Sequence, residues 1–227
     1  MIGVFDSGAG GLTAITELRR LMPTVDICFL ADKKNAPYGT KSKDELIRLV
    51  CSDISRLRRV GADKILMACC TASTVYDNLP DEVRAIACPI ICPTAKEAAR
   101  ITVSGKIGVI ATDATVASAA FSKALSSFSS VKEVYELPLQ RLVSLVEGGA
   151  VDGKMTRNAR DELSRLIKPM RRCGIDTLIL GCTHFPHLEK EISGCLPGVR
   201  LVNSSREGAR EIVRSSKNTG TGKTIFL

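Results

Sequence analysis

The chain has 227 residues, of which 44% are hydrophobic and 25% charged, a balance typical of a folded globular protein that excludes disordered, collagen-like and coiled-coil classes. Residues 85–93 form the longest apolar run, which Pro89 interrupts and which is far shorter than the roughly 20 residues of a membrane span, so we expect neither a span nor a secretory signal. The net charge of +8 favours anionic partners, but scattered basic pairs and 4% aromatic residues argue against nucleic-acid binding.

The N-terminal segment predicts a strand, a glycine-rich turn and a helix. Residues 1–5 are apolar, residues 6–11 read Asp-Ser-Gly-Ala-Gly-Gly, and residues 11–21 fit a helix. A second apolar run, residues 27–31, predicts the next strand. This alternation is typical of an α/β protein with a mostly parallel sheet.

A longer helix and a third strand follow. Ser42 and Glu45 fit a capping box, and we expect the helix that it starts to reach Val60, because apolar residues then recur at intervals of three and four. Residues 64–68 predict a buried strand that ends at Cys69.

The second half of the sequence repeats the first. Residues 107–110 echo residues 2–5, and residues 61–69 align without gaps on residues 174–182, with glycine, aspartate and cysteine coinciding. We therefore expect two pseudo-symmetric α/β domains, each with a mostly parallel sheet flanked by helices and with the active site in the cleft between them. The expected domains are residues 1–93 and 94–205, with residues 206–227 returning to the first.

The repeat places one cysteine, Cys69 or Cys182, after a strand in each half. The chain has nine cysteines, an odd number that indicates free thiols and a cytoplasmic location. A single cysteine at such a position is most often a small buried hydrophobe. Two at matched positions suit a reaction in which one thiolate removes a proton from a carbon and the other thiol returns one from the opposite face.

Four motifs together resemble one family. They are the segments Asp6-Ser-Gly-Ala-Gly-Gly-Leu, Pro37-Tyr-Gly, Ala68-Cys-Cys-Thr-Ala-Ser and Gly181-Cys-Thr-His-Phe-Pro. In this order, and over nearly the whole chain, they are similar to the glutamate racemases of the aspartate/glutamate racemase superfamily. The resemblance implies a cofactor-independent racemase that uses two cysteines, supplies D-glutamate for peptidoglycan and binds glutamate as its small-molecule partner; homodimers are common in that family.

The resemblance also implies roles for individual residues. Cys69 and Cys182 would be the two acid/base residues, assisted by Asp6 on the first side and by His184 and Glu147 on the second. Residues that would contact the substrate are Asp6, Ser7, Tyr38, Gly39, Cys70, Thr71, Thr115, Thr183 and His184.

One position departs from the family pattern. Cys70 stands where the family has asparagine in its Cys-Asn-Thr motif, so a weak thiol donor replaces an amide. Losing one such hydrogen bond would weaken binding by roughly 1 to 3 kcal/mol. Two alternatives therefore stay open: a racemase for aspartate or another amino acid, and a catalytically impaired protein of the racemase fold that binds an amino acid.

Three other site types fit the sequence less well. Residues 219–224 resemble a phosphate-binding loop, but Lys217 occupies the position of the first glycine, and Thr13 breaks the dinucleotide pattern that begins near Gly8. A zinc site would draw on scattered candidates without paired Cys-x-x-Cys elements, so we expect no metal. These candidates are Cys69, Cys70, Cys88, Cys92, His184 and His187.

Overall fold

The structure is a computed structural model that describes residues 1–149 and 155–227. It is an α/β protein in which the chain forms two compact units. Unit 1 comprises Met1–Pro93 and Ser205–Leu227, and unit 2 comprises Thr94–Ser204. None of the helices in the described part of the chain combines the length and apolar character needed to cross a membrane.

Each unit is built on one parallel sheet, and the strands of both sheets are short. In chain order the strands are β1 Ile2–Asp6, β2 Ile27–Ala31, β3 Lys64–Met67, β4 Ala87–Pro89, β5 Lys106–Ala111, β6 Glu133–Pro138, β7 Thr177–Gly181, β8 Arg200–Asn203 and β9 Thr224–Phe226.

Helices connect the strands and cover the sheets. They are α1 Leu12–Leu21, α2 Lys43–Arg59, α3 Cys70–Ser73, α4 Asp81–Arg84, α5 Ile91–Ile101, α6 Asp113–Ala117, α7 Ala120–Leu125, α8 Gln140–Glu147, α9 Arg157–Arg172, α10 Glu189–Cys195 and α11 Ser204–Arg214.

The sheet of unit 1 has the strand order β4-β3-β1-β2-β9, and every pairing is parallel. Side chains alternate between its two faces. Phe5 and Leu30 pack with α2 on one face, whereas Val4 and Phe29 pack with α1 and α11 on the other. The sheet is thus buried on both sides, as expected for a parallel sheet.

The predicted capping box starts α2. The Ser42 hydroxyl accepts from the Glu45 backbone N–H, and the Glu45 carboxylate accepts from the Ser42 backbone N–H at 2.9 Å. Leu46, Val50 and Leu57 then form an apolar stripe on the sheet. Burial of each such side chain stabilises the fold by about 1.5 to 3 kcal/mol.

The sheet of unit 2 has the order β6-β5-β7-β8, again with parallel pairing throughout. Its core contains Leu178 and Leu180 from β7, and α8, α9 and α10 pack against them. If β5 to β8 are matched with β1 to β4, the two sheets have the same strand order, and β9 is an additional strand at one edge of the first.

Matched glycines reproduce the internal repeat at the level of contacts. Gly3 in β1 lies beside Ile65, and Gly108 in β5 lies beside the equivalent Leu178. A Cβ on Gly3 would be 2.9 Å from the Ile65 side chain, and one on Gly108 would be 2.9 Å from that of Leu178. The same close approach in both units explains why Ile-Gly-Val recurs.

Candidate active site

Polar side chains collect at the carboxyl edge of the first sheet. Asp6 is the last residue of β1, Asp32 follows β2, and Cys69 comes two residues after β3. Because the three strands are parallel neighbours, their carboxyl ends share one edge. Asp6 and Asp32 are further linked through the backbone, since the Asp32 N–H donates to the Asp6 carbonyl at 2.9 Å.

Asp6 is completely buried, and the glycine-rich turn explains how it fits. The Gly8 backbone N–H donates to Asp6 Oδ2 at 2.9 Å. A Cβ on Gly11 would lie only 2.5 Å from Asp6 Cβ and 2.8 Å from the Phe29 ring, so α1 can begin against this carboxylate only because position 11 is glycine.

The Cys69 thiol makes two hydrogen bonds. Its Sγ atom lies 3.4 Å from the Ser7 hydroxyl and accepts from the Ala72 backbone N–H at 3.5 Å, so that Cys69 caps α3. Burial, and secondly the charge of Asp6, raise the pKa of this thiol to about 11, while the contacts with Ser7 and Ala72 oppose the rise. At neutral pH these surroundings favour the protonated thiol of Cys69.

Cys70 and Thr71 form the first turn of α3, and both side chains are buried. The geometry thus brings Asp6, Ser7, Cys69, Cys70 and Thr71 to one edge of unit 1. Backbone N–H groups at the start of a helix favour anions, although α3 is only four residues long.

Tyr38 and Gly39 lie in the loop after β2, where Tyr38–Thr40 forms one 3-10 turn. The Tyr38 side chain is 2% exposed, and its hydroxyl contacts Asp32 and Asp53. A contact from Tyr38 to a ligand would therefore come from its backbone.

Cys182, His184 and Glu147 are in contact in unit 2. Cys182 Sγ lies 3.6 Å from His184 Nδ1, and His184 Nε2 lies 3.4 Å from Glu147 Oε1. Burial lowers the pKa of His184, an effect that the Glu147 carboxylate opposes and the neighbouring His187 reinforces. Glu147 is an exposed residue at the C-terminus of α8.

The remaining predicted residues of unit 2 follow β7 or β5. Thr183 comes directly after Cys182 and is buried. Thr115 is also buried, and its hydroxyl lies 2.8 Å from that of Thr112, whose side chain caps α6. Thr112 matches Ser7 in the repeat, since β5 is equivalent to β1.

Sequence reasoning missed Asp32 and Asp53, which bind the Tyr38 hydroxyl. A signal was present for Asp53, because it interrupts the apolar stripe of α2 between Val50 and Leu57 and is nonetheless 3% exposed. In the described residues 1–149 and 155–227, no three His, Cys, Asp or Glu side chains are grouped so as to hold a metal ion.

Comparisons with known proteins agree over almost the entire chain. The glutamate racemase of Aquifex aeolicus is 37% identical over 222 residues, which are 97% of this chain and 85% of the relative. A glutamate racemase isoform from Bacillus anthracis has a crystal structure with a TM-score of 0.90 and 31% identity, covering 100% of this chain and 86% of that one.

The glutamate racemase of Francisella tularensis, crystallised in complex with D-glutamate, has a TM-score of 0.87 at 28% identity and covers 99% of this chain and 86% of its own. The family profile of Asp/Glu/Hydantoin racemases matches residues 16–212. With this match and the shared two-sheet architecture, the chain belongs to the Asp/Glu/Hydantoin racemase family.

Proposed function

We propose that this protein interconverts L-glutamate and D-glutamate by moving a proton at Cα between two thiols, Cys69 and Cys182. Inversion at carbon needs a base on one face and an acid on the other, and each unit contributes one cysteine at an equivalent position. The matched strand-to-thiol turns in two units of the same topology are the observation that carries this proposal. In this scheme the two thiols suffice, and the reaction needs no cofactor.

The environment of Cys69 suits a group that alternates between acid and base. Burial and Asp6 raise the pKa of this thiol to about 11, which favours the protonated form at neutral pH. A bound amino acid brings its own ammonium group, and a cation within a few ångströms favours the thiolate. Ser7 and Ala72 already supply hydrogen bonds that stabilise the charged form. Substrate binding itself would thus convert the resting acid into a competent base.

Cys182 has a different partner for the same task. His184 lies beside the thiol and is kept in place by Glu147 on the far side of the imidazole. A neutral imidazole can accept the thiol proton, and the Glu147 carboxylate would stabilise the imidazolium that results. We assign His184 and Glu147 to proton transfer at this thiol.

The substrate carboxylates would be bound by hydroxyls and backbone N–H groups. Candidates in unit 1 are Ser7, Gly39, Cys70 and Thr71, and those in unit 2 are Thr115 and Thr183. We further propose that the D-glutamate formed supplies peptidoglycan synthesis in the cytoplasm, where thiols stay reduced. All nine cysteines are free thiols, the form that a reducing compartment maintains.

An inversion assay with a panel of L-amino acids tests the substrate assignment. We expect glutamate to be inverted faster than aspartate, and we expect Cys69→Ala and Cys182→Ala each to abolish inversion without loss of the folded state. Cys51→Ala, at a partly buried cysteine of α2, is the matched control and should invert glutamate at the wild-type rate. If another amino acid is inverted faster than glutamate, that amino acid and not glutamate is the substrate.

Cys70 favours one competing function, an amino-acid-binding protein of the same fold. Its buried thiol is a weak donor at the position where the family pattern has an amide. Calorimetry distinguishes the two functions, since glutamate binding without turnover would favour the binding protein. We expect turnover in the wild type and tighter binding, by about tenfold, in Cys70→Asn, which regains a hydrogen bond of roughly 1.4 kcal/mol.

A further inference from the structure

Two buried carboxyl groups share one phenol beside the candidate site. The Tyr38 hydroxyl lies 2.8 Å from Asp32 Oδ2 and 3.0 Å from Asp53 Oδ2. None of the three side chains is more than 4% exposed, so water does not screen the contact. The group of Asp32, Tyr38 and Asp53 is called the aspartate–tyrosine cluster below.

The number of protons in this cluster follows from its geometry. A phenol carries one proton and can donate it to one carboxylate only. The second contact, at a hydrogen-bonding distance, is favourable only if the other carboxyl group is protonated and donates to the phenol oxygen. This geometry is therefore most favourable when a second proton is present on one of the two aspartates.

The surrounding groups indicate which aspartate holds that proton. Asp32 accepts from the Asn35 side-chain amide with both oxygens, at 3.0 and 2.9 Å. Asp53 Oδ1 contacts Arg56, the charged partner that α2 contributes, at 3.2 Å. Burial, and then the charge of Asp32, raise the pKa of Asp53 to about 6. The hydrogen bond with Tyr38 and the charge and hydrogen bond of Arg56 oppose this rise only partly.

The cluster is connected to the candidate site through Tyr38. Tyr38 begins the 3-10 turn that contains Gly39, and this turn packs against α3. Cys69 caps α3 and belongs to the same apolar cluster as the Tyr38 side chain. The Tyr38 ring also packs on Phe5, one residue before Asp6, with ring centroids 6.0 Å apart.

We propose that Asp32 and Asp53 are positioning residues that share a proton through Tyr38 and thereby hold the Tyr38–Gly39 turn against α3 in the geometry that binds substrate. The part of this inference that concerns substrate rests on the proposed function, whereas the shared proton does not. Loss of that proton leaves two anions facing one phenol. The turn is then held less firmly, so substrate binding weakens while proton transfer at the thiols is unchanged.

Racemisation kinetics at two pH values test the proposal. In the wild type we expect KM for glutamate to rise about threefold or more from pH near 5.5 to pH near 7.5, the change that roughly half a pKa unit of coupling produces. Asp53→Asn supplies a permanent amide donor to the phenol oxygen, so its KM should change little over the same interval. Both proteins keep the same thiols and His184, so the difference between them isolates Asp53.

Two tyrosine variants distinguish the effect of disrupting the aspartate–tyrosine cluster from the effect of removing any tyrosine hydroxyl. Tyr38→Phe should raise KM at both pH values with a smaller effect on kcat, because the two carboxyl groups lose their common partner. Tyr135→Phe is the matched control, since the Tyr135 hydroxyl contacts the exposed Glu133, and it should leave KM and kcat unchanged. An equal pH dependence of KM in wild type and Asp53→Asn overturns the positioning role.

Carbon-13 NMR of the aspartate carboxyl groups tests the shared proton without any assay of activity. We expect the Asp53 carboxyl group to titrate with a pKa of about 6, and that signal to be missing in Asp53→Asn. Titration of Asp53 at the ordinary pKa of 3.8 overturns the proposal even if glutamate is racemised. If glutamate is not racemised, the proposed function fails, and the NMR titration of Asp53 still decides whether the proton is shared.

Discussion

Gly11 shows how a single backbone position sets the site geometry. Asp6 and Phe29 occupy the space that a side chain at position 11 would need. A Cβ on Gly11 would lie 2.5 Å from Asp6 Cβ and 2.8 Å from the Phe29 ring. We predict that Gly11→Ala destabilises the protein by about 1 to 3 kcal/mol, as overpacking does, and reduces racemisation because Asp6 must move. Urea unfolding and an inversion assay measure the two effects.

Gly8→Ala is the matched control for this prediction. Gly8 lies in the same turn, its backbone is extended with φ of −160°, and a Cβ there would meet no atom within 4 Å. We expect Gly8→Ala to keep wild-type stability within about 0.5 kcal/mol. Equal effects of the two substitutions would show that the turn tolerates no side chain for a reason other than contact with Asp6.

Glu147 Oε1 lies 3.4 Å from His184 Nε2 and affects the pKa of that imidazole. Burial lowers the pKa of His184 and the Glu147 carboxylate raises it, so removing that charge in Glu147→Gln should lower the pKa further. Imidazole NMR as a function of pH measures the shift. Glu162→Gln, which removes a carboxylate that pairs with Arg141 instead, should leave the His184 titration unchanged. An increase in the His184 pKa in Glu147→Gln would contradict the assigned arrangement.

At the residue scale, the sequence predicted the positions of Cys69 and Cys182 because both lie in a motif that is repeated. It did not reveal the aspartate–tyrosine cluster, since the loop that carries Asp32 and the helix that carries Asp53 are joined only by tertiary contacts. A polar residue within an apolar helix stripe, as at Asp53, indicates a buried side chain that must have a hydrogen-bonding partner elsewhere in the fold.

The turns before β3 and β7 begin with the same Gly-x-Asp pattern but are stabilised differently. Asp176 accepts from the Thr102 hydroxyl and from the backbone N–H groups of Val103 and Ser104, at 2.6 to 2.7 Å. Asp63 contacts the N-terminal ammonium at 3.1 Å and is 77% exposed. Only the aspartate of unit 2 is therefore the centre of a hydrogen-bonded loop.

We predict that Asp176→Asn destabilises the protein by about 1 to 2 kcal/mol at neutral pH, the lower part of the range for hydrogen bonds to a charged group because Asp176 is partly exposed. Burial raises the pKa of Asp176, but the bonds from Ser104, Thr102 and Val103 together lower it well below 3.8. A lowered folded-state pKa stabilises above the unfolded pKa, so this contribution should be lost as pH falls below about 4.

Urea unfolding of Asp176→Asn and Asp63→Asn at several pH values tests this prediction. The difference between wild type and Asp176→Asn should shrink below about pH 4. Asp63→Asn should have the smaller effect at neutral pH. A larger effect of Asp63→Asn would contradict the assignment of the loop to Asp176.

Helices and strands whose start, apolar pattern and end are all visible in the sequence were predicted well. The capping box and the apolar period placed α2 within a residue at its end, and β2 lies at the predicted residues Ile27–Ala31. Residues 85–93 were harder to interpret, because one apolar run contains both β4 and the beginning of α5. Periodicity alone does not separate a buried strand from a buried helix turn.

At the scale of the whole molecule, the two units have similar architectures because the same alternation of apolar strands and amphipathic helices occurs in both halves of the sequence. The predicted α/β fold with two similar parallel sheets is confirmed, and the register of Gly3 and Gly108 extends the repeat to individual contacts. Among the described residues of unit 2, no strand corresponds to the additional strand β9. It pairs with β2 and is held by Asp26, which accepts from the backbone N–H groups of Thr221 and Lys223. Such contacts between distant segments leave little trace in a local pattern.

Racemisation in D2O tests most directly whether the two proposed thiols act on opposite faces of one carbon. Starting from L-glutamate, we expect early D-glutamate to carry one deuterium at Cα while recovered L-glutamate carries almost none, because one thiol removes the proton and the other returns one from solvent. Cys69→Ala and Cys182→Ala should each form no D-glutamate. Inversion that survives in either variant, or product that retains the original proton, would contradict the account.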